Sequence, residues 1–125
     1  LGRGEMGIDA ENIRSWRYSV AERVLSPEEL RQLESAPDRD EFFFRLWTLK
    51  ESYAKLDGRG LALPFREISF DLSTEGAIRC SVPGTQFFQM AWKEYLLALC
   101  TWGEAEGRFL RTENLPEKMV LLEES

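Results

Sequence analysis

The 125-residue sequence contains no histidine and only two cysteines, Cys80 and Cys100. The absence of histidine excludes serine–histidine and cysteine–histidine nucleophile pairs and the usual zinc sites. Carboxylates, lysine or tyrosine must therefore do any acid–base work. Each cysteine lies in a segment of alternating apolar residues, so we expect two reduced core thiols rather than a disulfide.

The sequence is also short of positive charge and of long apolar runs. Its 16 Lys and Arg residues face 22 Asp and Glu residues, which gives a formal net charge of -6. A protein whose main ligand is a nucleic acid backbone needs the opposite balance. No stretch is long and apolar enough for a membrane span, and no leader segment opens the chain. We expect a soluble cytoplasmic protein that binds neither nucleic acid nor membrane.

The sequence does have the apolar content of a packed domain, with 43% hydrophobic and 12% aromatic residues. Apolar residues recur at helical spacing up to Leu56 and at alternating spacing after it. This change predicts an α+β fold, with two to three helices packed on one face of an antiparallel sheet of about four to five strands. We assign residues 1–102 to this domain. Residues 103–125 form an acidic tail with one candidate edge strand at 119–122.

Three helices are predicted. The first spans residues 13–25, and the second begins at Ser26, because Ser26, Pro27 and Glu29 have the pattern of a capping box with proline at the first helical position. The third spans residues 40–56 and ends at Gly58. Its apolar residues cover about half of the circumference, and Lys50 and Glu51 interrupt or border that face. Charges placed there break the local pattern, which is typical of functional sites.

Five strands are predicted from alternating apolar residues, at 6–11, 68–72, 78–82, 87–93 and 95–101. The last is almost continuously apolar, which predicts a central position in the sheet.

Three carboxylates stand out in this scheme. Asp9 and Glu11 share one face of the first strand, and Glu51 borders the apolar face of the third helix. If these elements pack together, three negative charges converge, which is costly unless a cation such as Mg²⁺ lies among them. Lys55 follows Glu51 by one turn and could meet a phosphate. The simpler alternatives are solvated acids, a surface pair of Glu51 with Lys55, and a Lys50 side chain that reaches past its neighbours to water.

The order of three motifs is more specific than any of them alone. Gly-Ile-Asp-Ala-Glu at 7–11 is followed by Trp-Thr-Leu-Lys-Glu-Ser-Tyr-Ala-Lys at 47–55 and Gly-Arg-Gly-Leu at 58–61. Together they resemble the signature of the 4′-phosphopantetheinyl transferases. The Asp-x-Glu form is similar to the larger, surfactin-synthetase-activating type, and the likeness covers only the C-terminal half of that type.

The resemblance implies Mg²⁺-dependent transfer of the phosphopantetheine arm of coenzyme A to a serine of an acyl or peptidyl carrier protein. It implies that Asp9, Glu11 and Glu51 bind the metal and that Glu51 and Lys55 are catalytic. Glu51, or a water on the metal beside it, would take the proton from the serine. Coenzyme A would be contacted by Lys55, Lys50 and Arg59.

In the larger type, coenzyme A is bound between two similar halves, and this chain resembles only one of them. The resemblance therefore implies that the chain alone has an incomplete coenzyme A site. We expect a homodimer or a missing N-terminal half to complete the site, with Arg3 and Arg59 as the extra cations in a homodimer. The third helix is so apolar that some of its residues Phe42, Phe43, Phe44 and Trp47, together with neighbouring strand residues, should form an exposed interface patch. Two other readings stay open. One is a non-catalytic half-domain that binds carrier proteins, and the other is an α+β interaction domain whose acids are coincidental.

Overall fold

The computed structural model describes residues 5–103, apart from the side chain of Leu61. The elements in chain order are β1 (Met6–Asn12), α1 (Tyr18–Val24), α2 (Pro27–Ser35), α3 (Arg39–Asp57), 3₁₀ turns at Gly60–Ala62 and Phe65–Glu67, β2 (Phe70–Asp71), β3 (Arg79–Cys80), β4 (Thr85–Trp92) and β5 (Tyr95–Trp102). This arrangement confirms the predicted α+β class. Residues 119–122, the candidate edge strand, lie outside the described residues.

The five strands form two sheets rather than one. β5 lies between β1 and β4 and pairs antiparallel with both, which confirms its predicted central position. β2 and β3 are two residues long and form a separate antiparallel pair. Each residue of β1 faces one of β5, with Asp9 opposite Ala98.

The first helix begins later than predicted, at Tyr18 instead of Ile13. The reason is that the apolar residues before Tyr18 make their contacts from an extended, non-helical segment. The backbone N–H of Ile13 donates to the carbonyl of Glu94 in the turn between β4 and β5, so the chain continues along the sheet. The ring of Trp16 stacks on Phe43, with the ring centroids 4.9 Å apart.

The second helix begins as predicted. The hydroxyl of Ser26 accepts a hydrogen bond from the backbone N–H of Glu29 at 3.1 Å, and the Glu29 carboxylate accepts from the backbone N–H of Ser26 at 2.8 Å. Both halves of the capping box are therefore formed, with Pro27 at the first helical position.

The third helix is the centre of the fold. It contacts β1, β5 and β4 on one side and α2 on another, and it ends at Gly58, whose φ of 90° is in the left-handed region that glycine favours. Of the four helix residues predicted for an exposed patch, Phe42 and Trp47 keep part of their surface accessible. Phe43 and Phe44 are buried, because Trp16 covers Phe43 and Arg14 covers the Phe44 ring.

The sheet instead presents a second apolar face on the side away from α3, which we call the outer sheet face. Its members are the outward-facing apolar residues of all three strands, namely Ile8, Ala10, Phe88, Met90, Trp92, Leu97 and Leu99. Leu97 and Leu99 are buried at its centre, and the others are half-buried. No residue of α1, α2 or α3 belongs to this cluster.

Cys80 and Cys100 are free thiols, as predicted. Cys100 is completely buried, and this burial raises the pKa of its thiol far above the usual range. Within residues 5–103, no helix has both the length and the apolar character that a bilayer crossing requires.

Candidate active site

The site is built on an unusually close approach between β1 and α3. Gly7 lies against the backbone of Ser52 and Leu56, and a Cβ atom at position 7 would overlap the Ser52 carbonyl oxygen and lie 2.6 Å from the Leu56 nitrogen. Only glycine therefore permits this contact. Asp9 and Glu11 follow Gly7 on the same face of the strand, so they are held against the helix that carries Glu51 and Lys55.

Asp9 is the most deeply placed of the three carboxylates, with 4% of the residue exposed. One of its oxygens, Oδ1, accepts a hydrogen bond from the ammonium of Lys55 at 2.8 Å. The other, Oδ2, is buried and has no hydrogen-bond partner. A buried carboxylate oxygen without a partner is costly, and a bound cation would remove that cost.

Glu51 is half-buried, and its pKa is raised above the usual value. Burial is the largest cause, the negative charge of Asp9 adds to it, Lys55 opposes it, and Glu11 raises the pKa further. The three carboxylates thus interact electrostatically, as the sequence predicts. Their oxygens do not converge on one point, however. Within residues 5–103, no group of three or more potential ligands is close enough to hold one metal ion.

Two cations of the chain are paired with these carboxylates in this state. Lys55 holds Asp9, and Arg14 lies 3.2 Å from Glu11. Arg14 also donates to the carbonyl of Asn12 and lies over the Phe44 ring. Both cations are largely exposed, with 47% of the Lys55 side chain and 55% of the Arg14 side chain accessible. Lys55 can therefore move away without disturbing the core, whereas a movement of Arg14 would uncover the Phe44 ring.

An open cleft of about 260 Å³ lies beside these residues. It is lined by Glu51, Ala54, Lys55, Gly58, Gly60 and Phe65. The charged lining comes from one stripe of α3, and the rest is nonpolar side chain or glycine. The cleft therefore has one charged side and one uncharged side.

Arg59 lies between the two glycines of the cleft but is not part of its lining. Its guanidinium is bound to Asp57, with Nε 2.6 Å from one carboxylate oxygen and Nη2 3.1 Å from the other. This pairing holds the pKa of Asp57 below its usual range. The Arg59 side chain is 53% exposed, so a contact with coenzyme A stays a prediction.

Lys50 is not at the cleft, which corrects the expected contact with coenzyme A. Its side chain is completely buried, and its ammonium lies 2.7 Å from the Glu29 carboxylate. It also donates to the backbone carbonyls of Phe65 and Ile68. These three acceptors satisfy all three N–H groups of the ammonium, so none remains for a ligand.

Two residues of this arrangement, Phe65 and Glu29, were not predicted as part of the site. Nothing in the local sequence of Phe65 indicates a wall of the cleft. Glu29 was recognised only as a capping residue, although the charge of Lys50 on an apolar helix face did indicate that a buried carboxylate must exist somewhere.

Comparison with known proteins agrees with the motifs. The family model described as the 4′-phosphopantetheinyl transferase superfamily matches residues 5–100. A 4′-phosphopantetheinyl transferase of Bacillus subtilis is 34% identical over 102 residues, which are 76% of this chain and 46% of that protein. The chain thus spans about half the length of this curated relative.

Solved structures show the same fold. Holo-[acyl-carrier-protein] synthase of Thermotoga maritima superimposes with a TM-score of 0.67 at 23% identity, covering 97% of this chain and 90% of that one. The corresponding synthase of Helicobacter pylori, solved in complex with coenzyme A, gives a TM-score of 0.63 at 20% identity, covering 78% of this chain and 99% of that one. From the family match over residues 5–100 and the site on β1 and α3, the chain belongs to the 4′-phosphopantetheinyl transferase superfamily.

Proposed function

We propose that this chain carries the metal-binding half of a transferase that moves the 4′-phosphopantetheine arm of coenzyme A onto a serine of an acyl or peptidyl carrier protein. The observation that carries the proposal is the unpartnered buried Oδ2 of Asp9 beside Glu51 and Lys55, at the edge of an open cleft. The relative from Bacillus subtilis is named for this activity, and the Helicobacter pylori structure contains coenzyme A.

Mg²⁺ fits the donors that this chain offers. The oxygens of Asp9, Glu11 and Glu51 are the hard ligands that Mg²⁺ prefers, and they carry excess negative charge at one end of the β1–α3 contact. Lys55 and Arg14 would release Asp9 and Glu11 as the ion binds. A bound Mg²⁺ would neutralise charge on the phosphate oxygens of coenzyme A.

Glu51 is the proposed base. Its carboxylate would take the proton from the serine hydroxyl of the carrier protein as the serine oxygen bonds to the β-phosphorus of coenzyme A, the one that carries the pantetheine arm. The bond from that phosphorus to the bridging oxygen of the pyrophosphate breaks, and adenosine 3′,5′-bisphosphate leaves with the electron pair. Without metal, partial burial and the nearby carboxylates raise the pKa of Glu51.

Lys55 is the proposed phosphate contact. Its ammonium has three N–H donors, only one of which is used by Asp9, and its side chain is about half exposed at the cleft. A cation in this position would stabilise the negative charge that develops as the pyrophosphate bond breaks.

We further propose that the active unit contains a second half, either a second copy of this chain or an N-terminal half. The outer sheet face supports this, because a contiguous apolar surface of this kind is typical of an interface. The chain also spans only about half of its curated relative. Arg3, a cation proposed for coenzyme A in a homodimer, lies outside the described residues.

The test is to incubate the chain with coenzyme A, Mg²⁺ and an apo carrier protein, and to follow the mass of the carrier protein. We expect the carrier to gain one phosphopantetheine arm, and to gain none when Mg²⁺ is chelated or when the acceptor serine is replaced by alanine. A carrier that is modified by an established transferase but not by this chain, alone or with a separate N-terminal half, would contradict the proposal.

The second candidate function is a non-catalytic half-domain that binds carrier proteins. It is favoured by the pairing of Lys55 with Asp9, and by the finding that residues 5–103 contain no cluster of three or more acidic or cysteine side chains placed to hold one ion. Carrier protein that binds the chain without any gain of mass, under conditions where Mg²⁺ and coenzyme A are present, would support this alternative.

A further inference from the structure

A buried network centred on Lys50 connects α3 to two other parts of the chain. The ammonium pairs with Glu29 in the first turn of α2, and it donates to the carbonyls of Phe65 and Ile68. The second oxygen of the Glu29 carboxylate accepts from the backbone N–H of Phe70 at 2.7 Å. Lys50 therefore fastens both α2 and the segment 65–70 to the helix that carries Glu51 and Lys55.

The Phe65 carbonyl is the point at which this network reaches the cleft. It accepts from Lys50 and also from the backbone N–H of Ile68, a bond of 3.3 Å that closes the 3₁₀ turn. The ring of Phe65 lies 5.6 Å from the ring of Trp47 and lines the cleft.

We propose that Lys50 is a positioning residue, whose buried ammonium fixes the backbone of Phe65 and thereby the nonpolar wall of the cleft beside Glu51 and Lys55. This inference rests on the proposed function. The charged stripe of the cleft would take the phosphates, and the Phe65 ring would contact the uncharged arm of the same ligand.

The physical reason is that the turn is weak on its own. A 3₁₀ turn of three residues has few backbone hydrogen bonds of poor geometry. A charge-assisted hydrogen bond inside the protein is about twice as strong as a neutral one. Loss of the ammonium would therefore let the turn open locally, and the ring would leave the cleft while the rest of the fold persists.

The test uses a variant of the whole chain in which both charges of the pair are removed, Lys50→Met with Glu29→Gln. Removing Lys50 alone would leave Glu29 buried and unpaired and could unfold the protein, whereas replacing both partners of a buried ion pair is often well tolerated. Glutamine keeps one of the two acceptors that Glu29 offers to the backbone N–H groups of Ser26 and Phe70, so Glu29→Gln alone is the reference for the paired variant. Backbone amide exchange at Glu67 and Ile68 reports the turn directly, independent of any activity.

We expect amide exchange at these two positions to increase about tenfold in the paired variant. In the transfer assay, we expect the KM for coenzyme A to increase about tenfold with little change in kcat. If Lys50 acts through Phe65, the same paired substitution should have almost no further effect on KM in a Phe65→Ala background. The inference would be overturned if amide exchange at Glu67 and Ile68 stayed unchanged. It would also be overturned if the paired substitution raised KM by the same factor in the Phe65→Ala background as in the wild type.

The matched control removes another buried polar contact of α3, the 2.7 Å hydrogen bond between Thr48 and Gln89, by Thr48→Val with Gln89→Leu. Neither residue lines the cleft at Glu51. We expect this control to lower the melting temperature while leaving amide exchange at Glu67 and Ile68, and the KM for coenzyme A, as in the wild type. A wild-type chain without transfer activity, both alone and with a separate N-terminal half, would contradict the proposed function only, and amide exchange would then decide the role of Lys50.

Discussion

The ammonium of Lys55 lies 2.8 Å from one oxygen of the Asp9 carboxylate, and the other oxygen of that carboxylate is buried without a partner. Lys55 thus gives a positively charged partner to one of the two carboxylate oxygens, whereas a bound metal ion could be the partner of the other. This relationship explains how a cluster of acids is tolerated here, and it makes the roles of the two residues separable by substitution.

Removing the charge of either central carboxylate should abolish transfer without unfolding the chain. For Asp9→Asn and for Glu51→Gln we expect at least about a 100-fold loss of kcat/KM, because each removes a ligand charge and Glu51→Gln also removes the base. The melting temperature without metal should stay the same or rise slightly, since one of several repelling charges is gone. The control is Glu28→Gln, at a largely exposed carboxylate of α2. Turnover close to the wild type in either variant would rule out the metal assignment.

Replacing Lys55 should weaken the use of coenzyme A more than it weakens the fold. For Lys55→Met we expect about a 100-fold loss of kcat/KM, in line with the ~2.7 kcal/mol that one group stabilising a transition state can contribute. Without metal, the melting temperature should fall modestly, because the buried Asp9 carboxylate loses the partner of its Oδ1 atom while Lys55 itself is about half exposed. Arg31→Met, which breaks an exposed pair with Glu28, is the control. A Lys55 variant that is less stable but equally active would instead favour a simple surface ion pair.

The close approach of β1 to α3 predicts that Gly7→Ala is strongly destabilising. The added Cβ would overlap backbone atoms of Ser52 and Leu56 that cannot rotate away, so we expect a loss of about 3 kcal/mol in the free energy of unfolding, measured with urea. Gly76→Ala is the comparison, because position 76 has a positive φ but no atom within 4 Å of the added group. It should cost only about 1 kcal/mol, from backbone strain alone. Equal effects at both positions would show that the β1–α3 contact can relax.

A charge on the outer sheet face should prevent association. We expect the wild-type chain to be a concentration-dependent dimer by light scattering and Phe88→Glu to be a monomer with unchanged helical circular dichroism, because a buried unpaired charge is costly at an interface. Tyr18→Glu, at an exposed position on α1, is the control. A wild-type monomer that modifies carrier protein at a normal rate would show that a single half is sufficient.

Features that depend on neighbours in sequence were predictable. The capping box at Ser26, the glycine that ends α3 and the central position of β5 all follow from patterns within a few residues, and the structure has each of them. The first helix was extended too far because Ile13 and Trp16 have helical spacing. Their partners, Glu94 and Phe43, are distant in sequence and could not be seen.

The candidate site likewise has some features that the sequence predicts and others that depend on distant contacts. The motif positions of Asp9, Glu51 and Lys55 are visible in the sequence, and the structure brings them to one end of the β1–α3 contact. The role of Phe65 was invisible, because it is set by a carbonyl bound to a lysine fifteen residues earlier. The sequence pattern assigns the interface patch to α3 and neighbouring strand residues without identifying the outer sheet face, because the pattern of one element does not reveal what covers it.

The sequence by itself determined which elements form, where α2 begins and α3 ends, and which residues are available for chemistry. The tertiary structure alone decided which partners two adjacent charged residues meet. Lys50 and Glu51 are neighbours, but successive helical side chains point about 100° apart, so one enters the core toward Glu29 and the other borders the cleft. That choice depends on which elements pack on each side of α3, and those contacts join residues far apart in the chain.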